Sequence, residues 1–359
     1  MLILTESRHY RDIADAIRSR VPSCGTLRPY EMAGMINQIP NVADLMAEKR
    51  PLSGTMVGSA ISIAYGAFSA KSMITGAAFS RCSYVDEYAF YNCASLQSAS
   101  FPVCTSVGRA AFDYCRSLSD IYMPQLEYAE SFAFADCQAM TSAPFPLLKM
   151  IGENAFVGCS SLSEVNLENV TDMHGGAFWN CTRMERANLP NCASVWANAF
   201  RGCSSLLSVS LAECETVGAY AFSGCTSLSV LYLPNATTID AGAFYGCGSL
   251  SVIEAPNLAS ISTSSVFYGC RSLERFTIPY DIKSIAYRMF MYCYNLVSLY
   301  LPAVTSVPNL GYDAFLSTPS RGYTESTGRI GFVFVPSSLY EQFVSAQGWS
   351  DIYSRIRVI

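Results

Sequence analysis

The chain has 359 residues, of which 51% are apolar and only 14% are charged, and its formal net charge is −5. This composition excludes a disordered chain, and the lack of a basic stripe argues against nucleic acid as a partner. No run of 18 apolar residues occurs, so we expect no membrane insertion. With only two histidines, a triad or a multi-histidine metal site is not expected.

Residues 1–40 are predicted to form a helical module of two short amphipathic helices, with Pro29 in the first turn of the second. The segment YRDIADAIRSR…LRPYEMAGMINQI resembles a small helical module at the start of phage tail and other virion-associated proteins. That module usually opens its second helix with Thr-Pro or Ser-Pro, where this chain has Arg28-Pro29. The resemblance implies that residues 1–40 attach the chain to other virion tail proteins. The alternative is a helical hairpin that merely caps the following domain.

Residues 41–66 are interpreted as a linker and the start of a cap. Between positions 56 and 90, Ala-Phe pairs recur at even spacing, at 67–68, 78–79 and 89–90. This spacing is half of the period that governs the rest of the chain. We therefore expect abbreviated coils at the start of a repeat array.

Cysteines then recur at a fixed interval, the one that separates Cys93 from Cys115, and the interval lengthens by one residue after Cys247. Ala-Phe pairs follow the same period. So regular a period predicts stacked repeat units, each of which buries its apolar side only against its neighbours. The chain contains no CxxC pair, so a zinc site and other cofactors are not expected. We expect buried free thiols and leave open a cross-core bridge such as Cys93–Cys104. The periodic cysteines are Cys93, Cys115, Cys137, Cys159, Cys181, Cys203, Cys225, Cys247, Cys270 and Cys293.

Residues 221–243 illustrate one unit. A short strand contains Leu228, Val230 or Leu231, and Leu233, and it ends at Pro234, because proline cannot donate to a strand ladder. A polar turn follows, and then a helical turn that carries the next Ala-Phe pair. The residue before the periodic cysteine is Gly, Asn or Asp in eight of ten units, types that tolerate a left-handed backbone. Tyr114 and Tyr292 break this rule, so either they are strained or their turns close differently.

The repeat AFxxCxSLxxVxLPxxxxIGxxAF resembles the BspA-type leucine-rich repeat, also known from treponemal surface proteins, over residues 67–310. The resemblance implies a right-handed leucine-rich-repeat solenoid of the α/β type, with a parallel β-sheet along one side and short helices or 3₁₀ turns elsewhere. About ten full coils are expected in this range. The resemblance also implies binding or adhesion rather than catalysis.

Residues 311–359 are predicted to form a C-terminal cap. A strand over residues 332–335 would be followed by an amphipathic helix over residues 337–346, and Trp349 would cover the last coil. The run VPSSLYEQFVSAQGWSDIYSRI resembles the terminal cap of such repeat proteins.

Two surfaces are candidate ligand sites. One strand column alternates with inward leucines and should face outward, and its Tyr, Asn and Ser side chains are types that recognition surfaces use. A soluble sheet face needs similar residues, so a purely structural role stays open. From this strand face we select Tyr122, Asn166, Asn188, Tyr232, Glu254 and Tyr300.

A second patch is predicted outside that face, where aromatic side chains from neighbouring units would meet. His174 should neighbour Trp196, Trp179 should form a cation–π pair with Arg201, and Tyr245 should lie beside Tyr268. Packing of a histidine beside a tryptophan is the alternative to ligand contact.

No motif for catalysis is present, so the protein is predicted not to be an enzyme. We expect a phage or prophage tail-associated receptor-binding protein that recognises a bacterial surface glycan or protein. The start of the chain lacks the features of a secretory signal peptide, which fits a virion location because virion proteins are released by lysis. The alternatives are an extracellular adhesin of the BspA-like family on the bacterial cell surface and a structural spacer without ligand. Homo-oligomers are compatible with each hypothesis.

Overall fold

A computed structural model describes residues 53–262, 264–318 and 331–359. These residues form a parallel β-solenoid in which the chain winds into stacked coils. The predicted leucine-rich-repeat solenoid is therefore confirmed. The helical module predicted for residues 1–40 lies outside the described residues.

One series of strands forms the side that we call the strand face. Its members are β1 (Gly54–Gly58), β3 (Ile74–Phe79), β5 (Ser98–Ser100), β7 (Asp120–Tyr122), β10 (Glu164–Asn166), β12 (Arg186–Asn188), β14 (Ser208–Ser210), β16 (Val230–Tyr232), β18 (Val252–Glu254), β20 (Arg275–Thr277), β22 (Ser298–Tyr300), β24 (Phe332–Val335) and β25 (Ile356–Val358).

A second series of strands, each of two residues, runs alongside the first from β2 to β23 and was not predicted. Its members are β2 (Ser62–Ile63), β4 (Tyr84–Val85), β6 (Ser106–Val107), β8 (Tyr128–Ala129), β9 (Met150–Ile151), β11 (Asp172–Met173), β13 (Ser194–Val195), β15 (Thr216–Val217), β17 (Thr238–Ile239), β19 (Ser260–Ile261), β21 (Ser284–Ile285) and β23 (Asn309–Leu310).

Strand pairing brings equivalent residues of successive coils side by side. Arg186 pairs with Ser208, and Val230 pairs with Val252, in parallel register. In β16 the middle residue Leu231 is buried whereas Tyr232 is exposed, so Leu231 is the inward residue that the sequence left open. Like positions therefore form columns, about 5 Å apart from coil to coil.

The core is built on a column of phenylalanines, one per coil, that stack on each other. Eleven successive ring pairs have centroids 4.9–5.7 Å apart. The rings are buried, as the sequence predicted. We call them the core phenylalanines: Phe68, Phe90, Phe112, Phe134, Phe156, Phe178, Phe200, Phe222, Phe244, Phe267, Phe290 and Phe315.

The cysteines are buried and unbridged throughout the described part of the chain, so the predicted free thiols are confirmed there. In particular, no bridge joins Cys93 to Cys104. Each periodic thiol from Cys93 to Cys293 donates a hydrogen bond, 3.0–3.2 Å long, to the carbonyl oxygen of a core phenylalanine. A second, shorter column donates to the carbonyl two residues ahead, as Cys104 does to Ser106.

The turn before each periodic cysteine is left-handed in all ten coils, including the two exceptions to the composition rule. Tyr114 has a φ of 60° and Tyr292 a φ of 63°, so both tyrosines adopt the unfavourable conformation. A second left-handed position, two residues before the core phenylalanine, was not predicted; Asn154 and Tyr220 illustrate it. Two such positions per coil explain why the part of each coil around the core phenylalanine consists of hydrogen-bonded turns rather than helices. We call the surface of these parts the turn side of the solenoid.

The first coils differ from the prediction of abbreviated units. Phe68 stacks on Phe90, but Phe79 lies at the end of β3 and stacks on Phe101. Successive Ala-Phe pairs thus belong to two different columns of full-length coils. The pairing of β2 with β4 places Ser62 opposite Tyr84. These two residues are as far apart in the chain as Cys93 and Cys115, so the first coil has the full length of the later ones.

The C-terminal segment contains the predicted strand β24 and, after a 3₁₀ turn (Ser337–Leu339), the helix α1 (Tyr340–Ser345). A further 3₁₀ segment (Ser350–Arg355) leads to β25, which pairs with β24. Trp349 is buried against Phe315, with ring centroids 6.1 Å apart, and its Nε1 donates to the carbonyl oxygen of Pro308 at 2.8 Å. Trp349 therefore covers the last coil, as predicted.

Candidate ligand-binding groove

One coil of the strand face lacks a strand altogether, whereas β14 and β16, and likewise β18 and β20, are strands that do not pair with each other. Residues 142–144 form no strand between β7 and β10, and only an isolated bridge links Ser142 to Glu164. Pro144 occupies the outward strand position there, and a proline has no N–H to donate to β7. The interruption is thus a direct consequence of the sequence.

A groove of about 810 Å³ lies across this interruption and extends over β10, β12 and β14. We call it the strand-face groove. One wall is apolar and consists of Tyr122, Pro124, Pro144 and Pro146. The Tyr122 side chain is 55% exposed, so its ring is available to a ligand.

The wall over β10 and β12 contains polar side chains that pair across neighbouring coils. Arg186 donates to Glu164 at 2.7 Å, and the amide of Asn188 donates to the Oδ1 of Asn166 at 2.6 Å. These pairs form because β10 and β12 are in register, which places equivalent side chains about 5 Å apart. The Arg186 and Glu164 side chains are 58% and 57% exposed, so their polar atoms are accessible to a ligand.

The structure brings together half of the residues selected on this face. Tyr122, Asn166 and Asn188 line the strand-face groove. Tyr232 and Glu254 lie beside each other in β16 and β18, away from it.

Tyr300 is half-buried because its ring stacks on Phe334 of the terminal strand, with centroids 4.5 Å apart. The groove is also lined by Glu164, Arg186 and Ser210, outward residues of the strand face that the selection left out. The sequence signal for the groove itself was Pro144, a proline in a strand column.

The second patch resolves into separate contacts. The guanidinium carbon of Arg201 lies 5.3 Å from the ring centroid of Trp179, and Tyr245 and Tyr268 stack at 4.4 Å, both as expected. Trp179 and Tyr245 are three coils apart in the same column, which is about 15 Å. The six selected residues therefore form an elongated surface rather than one compact pocket.

His174 and Trp196 occupy equivalent positions in adjacent coils, since the amide of Gly176 donates to the carbonyl of Ala197. The His174 ring is 3.3 Å from a carboxylate oxygen of Asp172. Trp196 is 55% exposed, so this part of the second patch faces solvent.

Within residues 53–262, 264–318 and 331–359, no group of three or more His, Cys, Asp or Glu side chains is arranged to hold a metal ion. None of the helices in the same ranges has the length and apolar character needed to cross a membrane.

Comparison with known proteins gives a family match and several structural likenesses. The chain is similar to a leucine-rich repeat protein from Bacteroides ovatus, at 20% identity over 83% of this chain and 87% of that one, with a TM-score of 0.48. A leucine-rich cell surface protein from Faecalibacterium prausnitzii is 19% identical over 85% and 91% of the two chains, with a TM-score of 0.46.

The leucine-rich repeat protein of T. pallidum is 28% identical over 49% of this chain and 83% of that one, with a TM-score of 0.39. No curated protein matches the chain. The family model for the BspA-type leucine-rich repeat region matches residues 83–207 and 193–320, well over half of the sequence. The chain therefore belongs to the BspA-type leucine-rich repeat family.

Proposed function

We propose that the protein is a non-enzymatic binding protein that holds a surface glycan or protein in the strand-face groove and so mediates adhesion. The single observation that carries this proposal is the groove itself, where an apolar wall at the interrupted sheet adjoins a wall of polar side chains that pair with each other. Membership of a repeat family whose stacked coils present extended surfaces supports the same function.

The chemistry of the two walls defines what the groove would accept. The ring of Tyr122 and the neighbouring prolines would contact flat apolar surface, such as a sugar ring or an extended peptide backbone. The Asn166–Asn188 and Glu164–Arg186 pairs would supply hydrogen bonds that fix the ligand's orientation.

We favour a location on the bacterial cell surface over one in a virion tail. The repeats that define the family cover residues 83–320, and they support a surface adhesin. The tail hypothesis depends on residues 1–40, which lie outside the described residues, and no comparison supports it. Mass spectrometry of purified phage particles and antibody labelling of intact cells distinguish the two locations, because detection in only the particles would overturn the surface assignment.

The binding function can be tested with groove variants and a matched control. The triple variant Tyr122→Ser, Asn166→Ala and Asn188→Ala should lower attachment to glycan arrays or bacterial cells at least tenfold. Tyr232→Ser removes a similarly exposed tyrosine of the same column outside the groove and should leave attachment unchanged. Equal attachment by all three proteins would favour the structural spacer and refute the groove.

A further inference from the structure

Charge is distributed unevenly on the turn side of the solenoid. We define a turn segment as the ten residues from four before to five after a core phenylalanine. The segments around Phe90, Phe112, Phe134 and Phe156 contain two arginines and six carboxylates: Asp86, Glu87, Asp113, Glu130, Asp136 and Glu153. From Phe178 to Phe315 the balance reverses, with Arg183, Arg201, Arg271 and Arg288 against only Asp240 and Asp313.

Arg201 lies between two aromatic rings in this cationic half. Its guanidinium carbon is 5.3 Å from the centroid of Trp179 and 5.7 Å from that of Tyr220. One guanidinium nitrogen donates to the Oδ1 of Asn198 at 3.2 Å. Because the rings hold the planar group from two neighbouring coils, its position is fixed while its charge stays exposed.

Two further arginines, towards the C-terminal end, each lie near one aromatic ring. The guanidinium carbon of Arg271 lies 6.0 Å from the ring of Tyr294, and that of Arg288 lies 4.7 Å from the ring of Tyr287. Arg288 also approaches Asp313, at 3.8 Å from Nε to the carboxylate oxygen. No carboxylate of the described residues lies within ion-pair distance of Arg201 or Arg271.

A tyrosine stack occupies the coils that lie between those of Arg201 and Arg288. The rings of Tyr245 and Tyr268 are parallel, with centroids 4.4 Å apart, and Tyr268 meets Tyr292 edge-on at 5.3 Å. Burial raises the pKa of Tyr268, with a contribution from its hydrogen bond to Tyr245, while the charge of Arg288 opposes the rise.

We propose that this surface, defined by Arg201, Arg271, Arg288, Trp179, Tyr245 and Tyr268 and here called the arginine–aromatic surface, binds a carboxylated polysaccharide. The planar fork of arginine matches a carboxylate through paired hydrogen bonds. Aromatic faces pack against the apolar face of a sugar ring. From Arg201 to Arg288 the surface spans four coil steps, on the order of 20 Å, which suits a polymer better than a single small anion.

Charge complementarity is the second reason for an acidic ligand. The whole chain carries a formal charge of −5, so a general attraction to anions is not expected. A local cationic stretch whose arginines are held by aromatic rings is therefore a specific feature. The inference is independent of the strand-face groove, which lies on a different side of each coil.

The test uses alginate oligosaccharides as the carboxylated probe and dextran of similar length as the neutral probe, with binding measured by isothermal titration calorimetry. Alginate should bind at least tenfold more tightly than dextran, and its affinity should fall as NaCl is raised from low to high concentration. The variant Arg201→Gln, Arg271→Gln and Arg288→Gln should lose at least tenfold in alginate affinity. Arg288 is half-buried, so its substitution alters packing as well as charge. Alginate affinity is therefore also measured for the double variant Arg201→Gln and Arg271→Gln, which changes only exposed residues.

Two control variants separate this site from general charge effects and from the groove. The double variant Arg109→Gln and Arg116→Gln removes two arginines from the acidic half and should leave alginate affinity unchanged, as should Arg186→Gln in the strand-face groove. Equal binding of dextran, or unchanged affinity in the double arginine variant Arg201→Gln and Arg271→Gln, would overturn the proposal. Tighter binding of polyglutamate or polyphosphate than of alginate would likewise refute the assignment to a carboxylated sugar.

Discussion

The Sγ of Cys137 lies 3.2 Å from the carbonyl oxygen of Phe112, to which it donates its proton. The same bond recurs in every coil from Cys93 to Cys293, so each thiol supplies a buried carbonyl with a hydrogen bond from within an apolar column. Burial raises the pKa of Cys137 well above its usual range and that of Cys159 to about 12. The thiolate, which is the reactive form, is therefore scarce in the native protein.

We predict that the described cysteines resist iodoacetamide at pH 8 until the protein unfolds. Their side chains are inaccessible and protonated, so modification requires opening of the coils. Mass spectrometry after pulsed labelling, with and without guanidinium chloride, measures the number of modified residues. Rapid native modification of any periodic cysteine would contradict the hydrogen-bonded arrangement.

A second prediction concerns the phenylalanine column. Phe200 stacks between Phe178 and Phe222, with centroids 5.5 and 5.3 Å away, and is fully buried. Phe200→Ala should lower the free energy of unfolding by about 3–5 kcal/mol, because it leaves a cavity between two coils. Urea denaturation followed by circular dichroism gives this value.

Trp196→Ala in the same coil is the matched control for Phe200→Ala. Trp196 is 55% exposed, so its removal should lower the free energy of unfolding by only about 1–2 kcal/mol, less than the loss expected for Phe200→Ala. Similar losses in the two variants would mean that the column does not carry the stability of the stack.

The features that the sequence predicted correctly are those in which one residue type marks one column. Phenylalanine and cysteine recur at a fixed separation, so their burial follows from stacking alone. The first coils were misinterpreted because Phe68 and Phe79 share the Ala-Phe motif but belong to different columns. A motif of two residues could not separate them.

The candidate site was only partly predictable, because it depends on contacts between distant segments. Tyr300 is half-buried because the terminal strand β24, which carries Phe334, pairs beside it although β23 lies between the two in the chain. The groove at Pro144 forms because this proline has no N–H to donate to β7, so the coil between β7 and β10 contains no strand. Neither effect is visible in the periodicity of a single column.

A third prediction addresses the left-handed position before the cysteine. Gly224 has a φ of 76°, and an added Cβ would have ordinary contacts only, with its nearest neighbour at 3.7 Å. Gly224→Ala should therefore destabilise the protein by about 1–2 kcal/mol through backbone strain alone. Gly248→Ala is the control, because Gly248 lacks a positive φ and a Cβ there would meet open space. Equal thermal midpoints for the two variants would show that the turn can close in another conformation.

The last prediction concerns the pH dependence of stability. Burial raises the pKa of Asp113 to about 7, and repulsion by Asp136 adds to the rise. In the unfolded chain an aspartate has a pKa of about 3.9, so the native state binds the proton more tightly. The contribution of Asp113 is therefore fully present below pH 4 and is lost as pH rises to about 7, where the native carboxyl ionises.

Asp113→Asn should accordingly stabilise the protein at pH 8, by about 1–3 kcal/mol, since one pKa unit corresponds to about 1.4 kcal/mol and water screens part of the charge. At pH 4 the variant and the parent protein should have similar urea midpoints, because the native carboxyl is then neutral. Asp120→Asn, which replaces an exposed carboxylate on β7, should change stability by less than about 0.5 kcal/mol at either pH. A midpoint at pH 8 that Asp113→Asn leaves unchanged would show that this carboxylate is well solvated in the folded protein, and that its burial does not limit stability at neutral pH.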